Sequence, residues 1–234
     1  HTASFTAQNV ILSVAGSFDL QEARELMERY FCRLRPSTPQ LDPPLPEFSQ
    51  TPRNLTIPTP KEQAVIQIAL PAISMEHPDR AALMLIDEVL SDQGSRLFVR
   101  IREKQSLAYF VGSSLFLGSH PGYFLLYAGT DPRRSEHAAT EMLDELRQIA
   151  EGAITQDELR RAAAKLLGDR LIQDQSAAII AYRASLNHLY GLGIDYEDKL
   201  NEKVRTLTTD EVTQIASKYF RHPGIVQVIV QPGT

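Results

Sequence analysis

The chain has 234 residues, 43% hydrophobic and 23% charged, and its 24 Lys plus Arg against 29 Asp plus Glu leave a net charge near −5. That is a globular composition with apolar residues enough for a sizeable core, in one large domain or one domain with a flanking piece. Mild acidity without any run of Lys and Arg argues against nucleic acid as a partner, and a single cysteine, Cys32, excludes an intrachain disulfide framework and any multi-cysteine metal cluster.

Residues 1–5 carry neither a basic stretch nor a continuous apolar run, so no targeting signal is read there and the compartment, periplasmic or cytoplasmic, stays open. Residues 9–16, Asn-Val-Ile-Leu-Ser-Val-Ala-Gly, read as a buried strand, and Asp19 with Glu22 three positions on marks the N-cap of an amphipathic helix reaching about Arg33. Cys32, beside Phe31 in that helix, is expected in a core. Eight of the fourteen prolines fall between Pro36 and Pro60. Residues with fixed φ and no N–H at that density predict a stretch without regular structure, an extended linker over 36–53.

Beyond the linker, 64–70 is a strand stopped by Pro71, 80–90 carries Leu83, Leu85, Ile86, Val89 and Leu90 at helical spacing, and a short helix is expected from Ser95 to about Lys104. From Gln105 to Thr130 there is no Asp, Glu, Lys or Arg. Ser, Gly, His and Pro in its middle and alternating apolar residues make it a β-hairpin rather than a membrane span. Its first strand, 107–117, would put Leu107, Tyr109, Val111, Ser113 and Leu115 on one face and Ala108, Phe110, Gly112, Ser114 and Phe116 on the other. Its second runs from Tyr123 to Gly129.

Residues 135–151 then form an amphipathic helix, and Thr155 with Glu158 a capping box opening a long helical stretch to about Tyr190, bent or broken near Gly168 or Asp174. Asp195 and Thr208 are N-caps of two more helices, and 225–230 is a last strand. The pattern predicts an α+β fold, a mostly antiparallel sheet with helices on one face. The strands at 9–14 and 224–230 echo each other. If each ends a domain, 1–35 is the strand–helix tail of an N-terminal domain, and 54–234 is a second, compact one.

The six histidines stand singly, without His-x-x-x-His or His-x-x-Glu-His spacing, and read as surface or packing residues, with a distant assembly of several left open. Neither a Gly-x-Ser-x-Gly elbow nor a Gly-rich phosphate loop occurs. The unusual stretch is 94–109, with Arg96, Arg100 and Arg102 on a short helix, then a turn, then Tyr109. Arg102 and Tyr109 could give a cationic and a phenolic donor to a peptide carbonyl or a terminal carboxylate. Equally, Arg102 could pair with a nearby carboxylate and Tyr109 be a half-buried strand aromatic.

Arg96-Leu97-Phe98, Ile101-Arg102-Glu103-Lys104 and Ser106-Leu107-Ala108-Tyr109 resemble the C-terminal-domain motif of the pitrilysin/insulinase (M16) zinc metallopeptidases. So, in order, do Lys61-Glu62-Gln63, Asp87-Glu88-Val89-Leu90, Gly94-Ser95-Arg96-Leu97, Gly122-Tyr123-Phe124, Thr155 to Leu159 and Leu207 to Val212, while residues 9–16 resemble the end of that family's first domain. The resemblance implies two similar α+β domains or subunits closing around an unfolded peptide. The first would hold zinc through His-x-x-Glu-His, and the second would hold substrate through an Arg and a Tyr, here Arg102 and Tyr109. No zinc motif is present in this chain. The resemblance therefore implies no catalytic and no metal residue here, zinc in an N-terminal domain or partner subunit, and a zinc peptidase as the parent protein. If the strand at 10–14 lacks its own sheet, its open edge is expected to pair with another chain, as a dimer or on a foreign sheet edge. The alternative it leaves is a non-catalytic chamber or scaffold subunit of the same superfamily.

Overall fold

The computed structural model describes residues 5–36, 47–91 and 93–233. They fall into two compact units, the described residues of 45–168 with 198–234, and those of 1–44 with 169–197.

The larger unit is built on a five-stranded sheet: β1 (Arg53–Thr59), β2 (Ala64–Pro71), β3 (Phe110–Phe116), β4 (Tyr123–Thr130) and β5 (Val226–Pro232), in the order β1-β5-β2-β4-β3. Only β1 and β5 run parallel; the other three pairings are antiparallel. Alternation along β2 buries Ala64, Ile66, Ile68 and Leu70, and register carries that face sideways, Ile66 to Ala128 and Ile229, Ile68 to Leu126 and Leu70 to Phe124. Helices α2 (Arg80–Leu90), α3 (Ser135–Ala150) and α7 (Thr209–Phe220) pack on that face through stripes such as Leu83, Ile86 and Leu90, Met142, Leu146 and Ile149, and Val212, Ala216 and Phe220. The Phe124 and Phe220 rings meet at 5.1 Å. Each fully buried Leu, Ile or Phe contributes about 1.5–3 kcal/mol here. The opposite face carries Leu55, Ile57, Phe110, Phe116 and Tyr123, all exposed, so helices cover one side only, as the pattern predicts.

Two expectations change. The proline-rich stretch was expected to lack regular structure up to Pro60, yet 53–59 is strand β1; residues 37–46 of the linker lie outside the described residues. β1 is a sheet edge, where Pro58 near the strand's end costs no ladder bond on the open side, and Leu55 and Ile57 pair with Val228 and Val230. The long helical stretch is two helices, α4 (Gln156–Gln173) and α5 (Ala177–Leu189), broken at Asp174 with Ser176 as the N-cap of the second.

In the smaller unit α1 (Leu20–Phe31) is capped as expected, the Asp19 carboxylate accepting from the Glu22 N–H at 2.9 Å. The expected strand at 9–16 has no ladder: among the described residues no strand lies beside it, and it runs along α5, where the Ser13 and Ser185 hydroxyls meet at 2.8 Å. Cys32, expected in a core, is exposed, because α1 buries none of its residues within this unit. Beyond α5, α6 (Tyr196–Thr206) follows Asp195 as expected.

Candidate substrate-binding site

The stretch 96–109 lies in the larger unit. Gly94, at φ +113°, turns the chain out of the loop after α2, and the helix then widens to the π form over Phe98–Lys104, a geometry that recurs at functional sites. What holds this costly turn is a set of carboxylates on α3 and at the start of α4.

Arg96 forks onto Glu158, Nε to Oε1 at 2.8 Å and a terminal nitrogen to Oε2 at 2.9 Å, donates to Glu145 Oε1 at 3.0 Å, and caps the Ala153 carbonyl. Arg100 donates to Glu145 Oε2 at 2.9 Å, to Glu141 at 3.0 Å and to Asp144 at 2.5 Å. Glu145 is only 3% exposed, and its two oxygens are each taken by a different arginine. Burial works against both guanidinium charges, but the hydrogen bonds that Arg96 donates to Glu158 and Glu145, and Arg100 to Glu145 and Glu141, outweigh it and hold both pKa values above their ordinary range. Burial likewise opposes ionised Glu158, and the bonds from Arg96 and from Thr155 overcome it and hold that carboxyl below its ordinary range.

Arg102 is the arginine left over. It is exposed, its guanidinium stands 4.9 Å from the centroid of the Phe98 ring, and among the described residues it has neither hydrogen bond nor ion pair. The carboxylates that reach this helix from α3 and α4, Glu141, Asp144, Glu145 and Glu158, go to Arg96 and Arg100 instead.

From Arg102 the chain turns through 105–108 to Tyr109. Ser106 takes a left-handed φ of +50°, rare outside glycine. Leu107 donates its N–H to the Ile101 carbonyl at 2.7 Å, and its own carbonyl accepts from the Thr130 hydroxyl. The strand then starts three residues later than expected, at Phe110. Phe110 pairs with Gly129, and the Tyr109 N–H also donates to the Gly129 carbonyl at 2.8 Å. Two residues thus oppose one, the arrangement of a β-bulge.

The bulge corrects the expected alternation. Tyr109 was placed on the face of Val111, Ser113 and Leu115, the face under the helices, but the extra residue takes it out of that set and leaves it 62% exposed. Its hydroxyl makes no hydrogen bond among the described residues, and the Arg133 guanidinium is bonded to Asp131 at 2.7 Å. Arg102 and Tyr109 therefore stand exposed at the two ends of one fixed turn.

Sequence reasoning missed the carboxylates that fix this stretch. The signal was Glu145, an acid within the apolar stripe Met142, Leu146 and Ile149 of α3. Among the described residues no three His, Cys, Asp or Glu side chains gather as metal ligands would, so nothing described here fits zinc.

Residues 1–166 match the family model for the peptidase M16 inactive domain. An uncharacterized zinc protease of Streptomyces coelicolor is 29% identical over 66% of this chain and 34% of its own length, and one of Rickettsia bellii is 26% identical over 96% of this chain and 54% of its own. The chain spans a third to about half of these relatives. The crystal structure of a peptidase M16 inactive domain from Pseudomonas fluorescens superposes with a TM-score of 0.84 at 23% identity, over 93% of this chain and 52% of that one. With a matching model over most of its length and the same α+β architecture, the chain belongs to the M16 peptidase family, matching its inactive domain.

Proposed function

We propose that this chain is the substrate-holding half of a zinc-dependent peptidase acting on unfolded peptides, with the metal centre in another domain or a partner subunit, and that alone it cleaves nothing. One observation carries the reading: where Arg96 and Arg100 are saturated by carboxylates, Arg102 is exposed and has no ion pair among the described residues, at one end of a turn whose other end exposes Tyr109. A guanidinium offers a fork to a carboxylate or peptide carbonyl, and a phenol offers a single O–H donor beside it. Zinc in the other half would supply Lewis-acid and water-activating chemistry; this chain's part is to bind and orient.

The test is cleavage of a quenched unstructured peptide by this chain together with its zinc-binding half. Zinc-dependent activity is expected from the pair and none from the chain by itself. Arg102→Ala should cut kcat/KM by roughly tenfold or more, because a hydrogen bond to a charged group contributes about 1.5–3 kcal/mol. Tyr109→Phe should cost less. Unchanged kinetics in both variants would overturn the assignment of these residues, and a folded pair without zinc or cleavage would favour the chamber or scaffold alternative.

A further inference from the structure

The turn between the two proposed substrate contacts is held from outside itself. Three successive carbonyls, of Gln105, Ser106 and Leu107, are each taken by a side chain from the end of β4 or the segment that follows it. Arg134 donates one terminal nitrogen to the Ser106 carbonyl at 2.7 Å and the other to the Gln105 carbonyl at 2.9 Å, and Thr130 takes the carbonyl of Leu107. Gln105 closes the π-helical turn, so the Arg134 charge also sits where the last helix carbonyls favour a cation.

We infer that Arg134 is a positioning residue for peptide binding: its fork fixes the turn that sets Arg102 and Tyr109 relative to each other. The inference rests on the reading of those two residues as the peptide contacts. Three features argue for it. The left-handed Ser106 is a conformation that the chain keeps only where its surroundings over-determine it. A fork reaching two adjacent carbonyls restrains the orientation of both peptide planes, which a single donor cannot do. And Arg134 is itself exposed and belongs to no core stripe, so its removal bears on the turn far more than on the rest of the unit.

The experiment is a double-mutant cycle on the 234-residue chain, read by fluorescence anisotropy of a labelled unstructured peptide. Arg134→Ala should weaken binding by roughly tenfold, the scale of one lost charged contact. In the Arg102→Ala, Tyr109→Phe background the same change should have no further effect, because nothing is left to position. Arg134→Lys should restore only part of the loss, since an ammonium offers no planar fork. An equal loss in both backgrounds would overturn the inference, and so would full rescue by Lys. If Arg102→Ala weakens binding and Arg134→Ala does not, positioning by Arg134 fails while the peptide contacts stand. If the double variant binds as the native chain does, the peptide-contact reading itself fails, and this one with it.

Discussion

The Ser113 hydroxyl, in the middle of β3, donates to the Asp87 carboxylate on α2 at 2.5 Å. This strand-to-helix bond lies among apolar neighbours, and burial is the main influence on Asp87, pushing its pKa above the ordinary range. Bonds from Ser113 and from the Leu115 N–H pull the other way, and Glu88 beside it adds to the rise. A folded-state pKa above the unfolded value of about 3.9 means a contribution to stability that is fully present below that pH and is lost as pH rises through the folded value. Asp87→Asn, which cannot ionise, should therefore melt higher than the native chain at neutral pH, with the difference closing as pH falls toward 4. Calorimetric melting midpoints across that range check this; a difference independent of pH would refute it.

Glu145 is a buried carboxylate whose two oxygens accept from Arg96 and Arg100. Glu145→Gln leaves Arg96 and Arg100 short of their shared counter-charge in a site where they are only 16% and 24% exposed. Breaking one side of such a buried network typically costs about 3–5 kcal/mol, which denaturant unfolding measures directly. Glu28→Gln, removing an exposed partner of Arg24 at 3.1 Å, should change stability by less than about 1 kcal/mol. The network also predicts acid sensitivity. Glu158 is held below its ordinary pKa, so its contribution is present above the unfolded value and is lost as pH falls through the folded one.

What was legible in the sequence was what is written locally. Thr155 with Glu158 is a capping box in the structure as in the pattern, and Thr208, read as an N-cap, caps α7 in a second box with Glu211, because the partners are three residues apart. The alternation of β2 names its buried face without reference to any neighbour. Strand β1 was hidden because Leu55 and Ile57 become a strand only by pairing with Val228 and Val230, far along the chain, while Pro58 argues locally for a linker. Tyr109 was put on the wrong face because strict alternation has no means of foreseeing a bulge set by Gly129 on the next strand. Arg102 and Tyr109 were singled out by motif, but the side chains that hold the helix and the turn between them were not, because Glu145 lies 45 residues from Arg100 and Arg134 lies 28 from Ser106.

The segment 10–15 predicts self-association. Leu12 and Val14 are 43% and 52% exposed, and among the described residues no backbone hydrogen bond reaches 10–15. Open backbone donors and acceptors beside apolar side chains template pairing with another chain, here a second copy. Sedimentation velocity over a concentration series should show a monomer–dimer equilibrium, and a Leu12→Lys, Val14→Lys variant should shift it toward monomer. A native chain that stays monomeric at every concentration would rule this pairing out.

Gly122 and Gly118 flank the same hairpin turn yet differ in what surrounds them. Gly122 donates its N–H to the Ile73 carbonyl and accepts from the Ala72 N–H, both at 2.9 Å, which ties the hairpin to the end of β2. A Cβ added there would lie 1.9 Å from the Phe116 carbonyl oxygen, a backbone atom that cannot swing away. Gly122→Ala must therefore push the two hairpin strands apart, at a cost of about 1–3 kcal/mol by the usual scale of overpacking, and more if the Ala72 and Ile73 bonds go too. At Gly118 the nearest atom to an added Cβ is the His120 carbonyl oxygen at 3.7 Å, an ordinary contact, and the backbone is not left-handed. Gly118→Ala should be near neutral. Urea unfolding of the two variants separates close approach from turn flexibility as the reason for glycine here: equal destabilisation would mean that flexibility decides both positions, whereas a loss confined to Gly122→Ala assigns that glycine to the contact between its Cα and the Phe116 peptide.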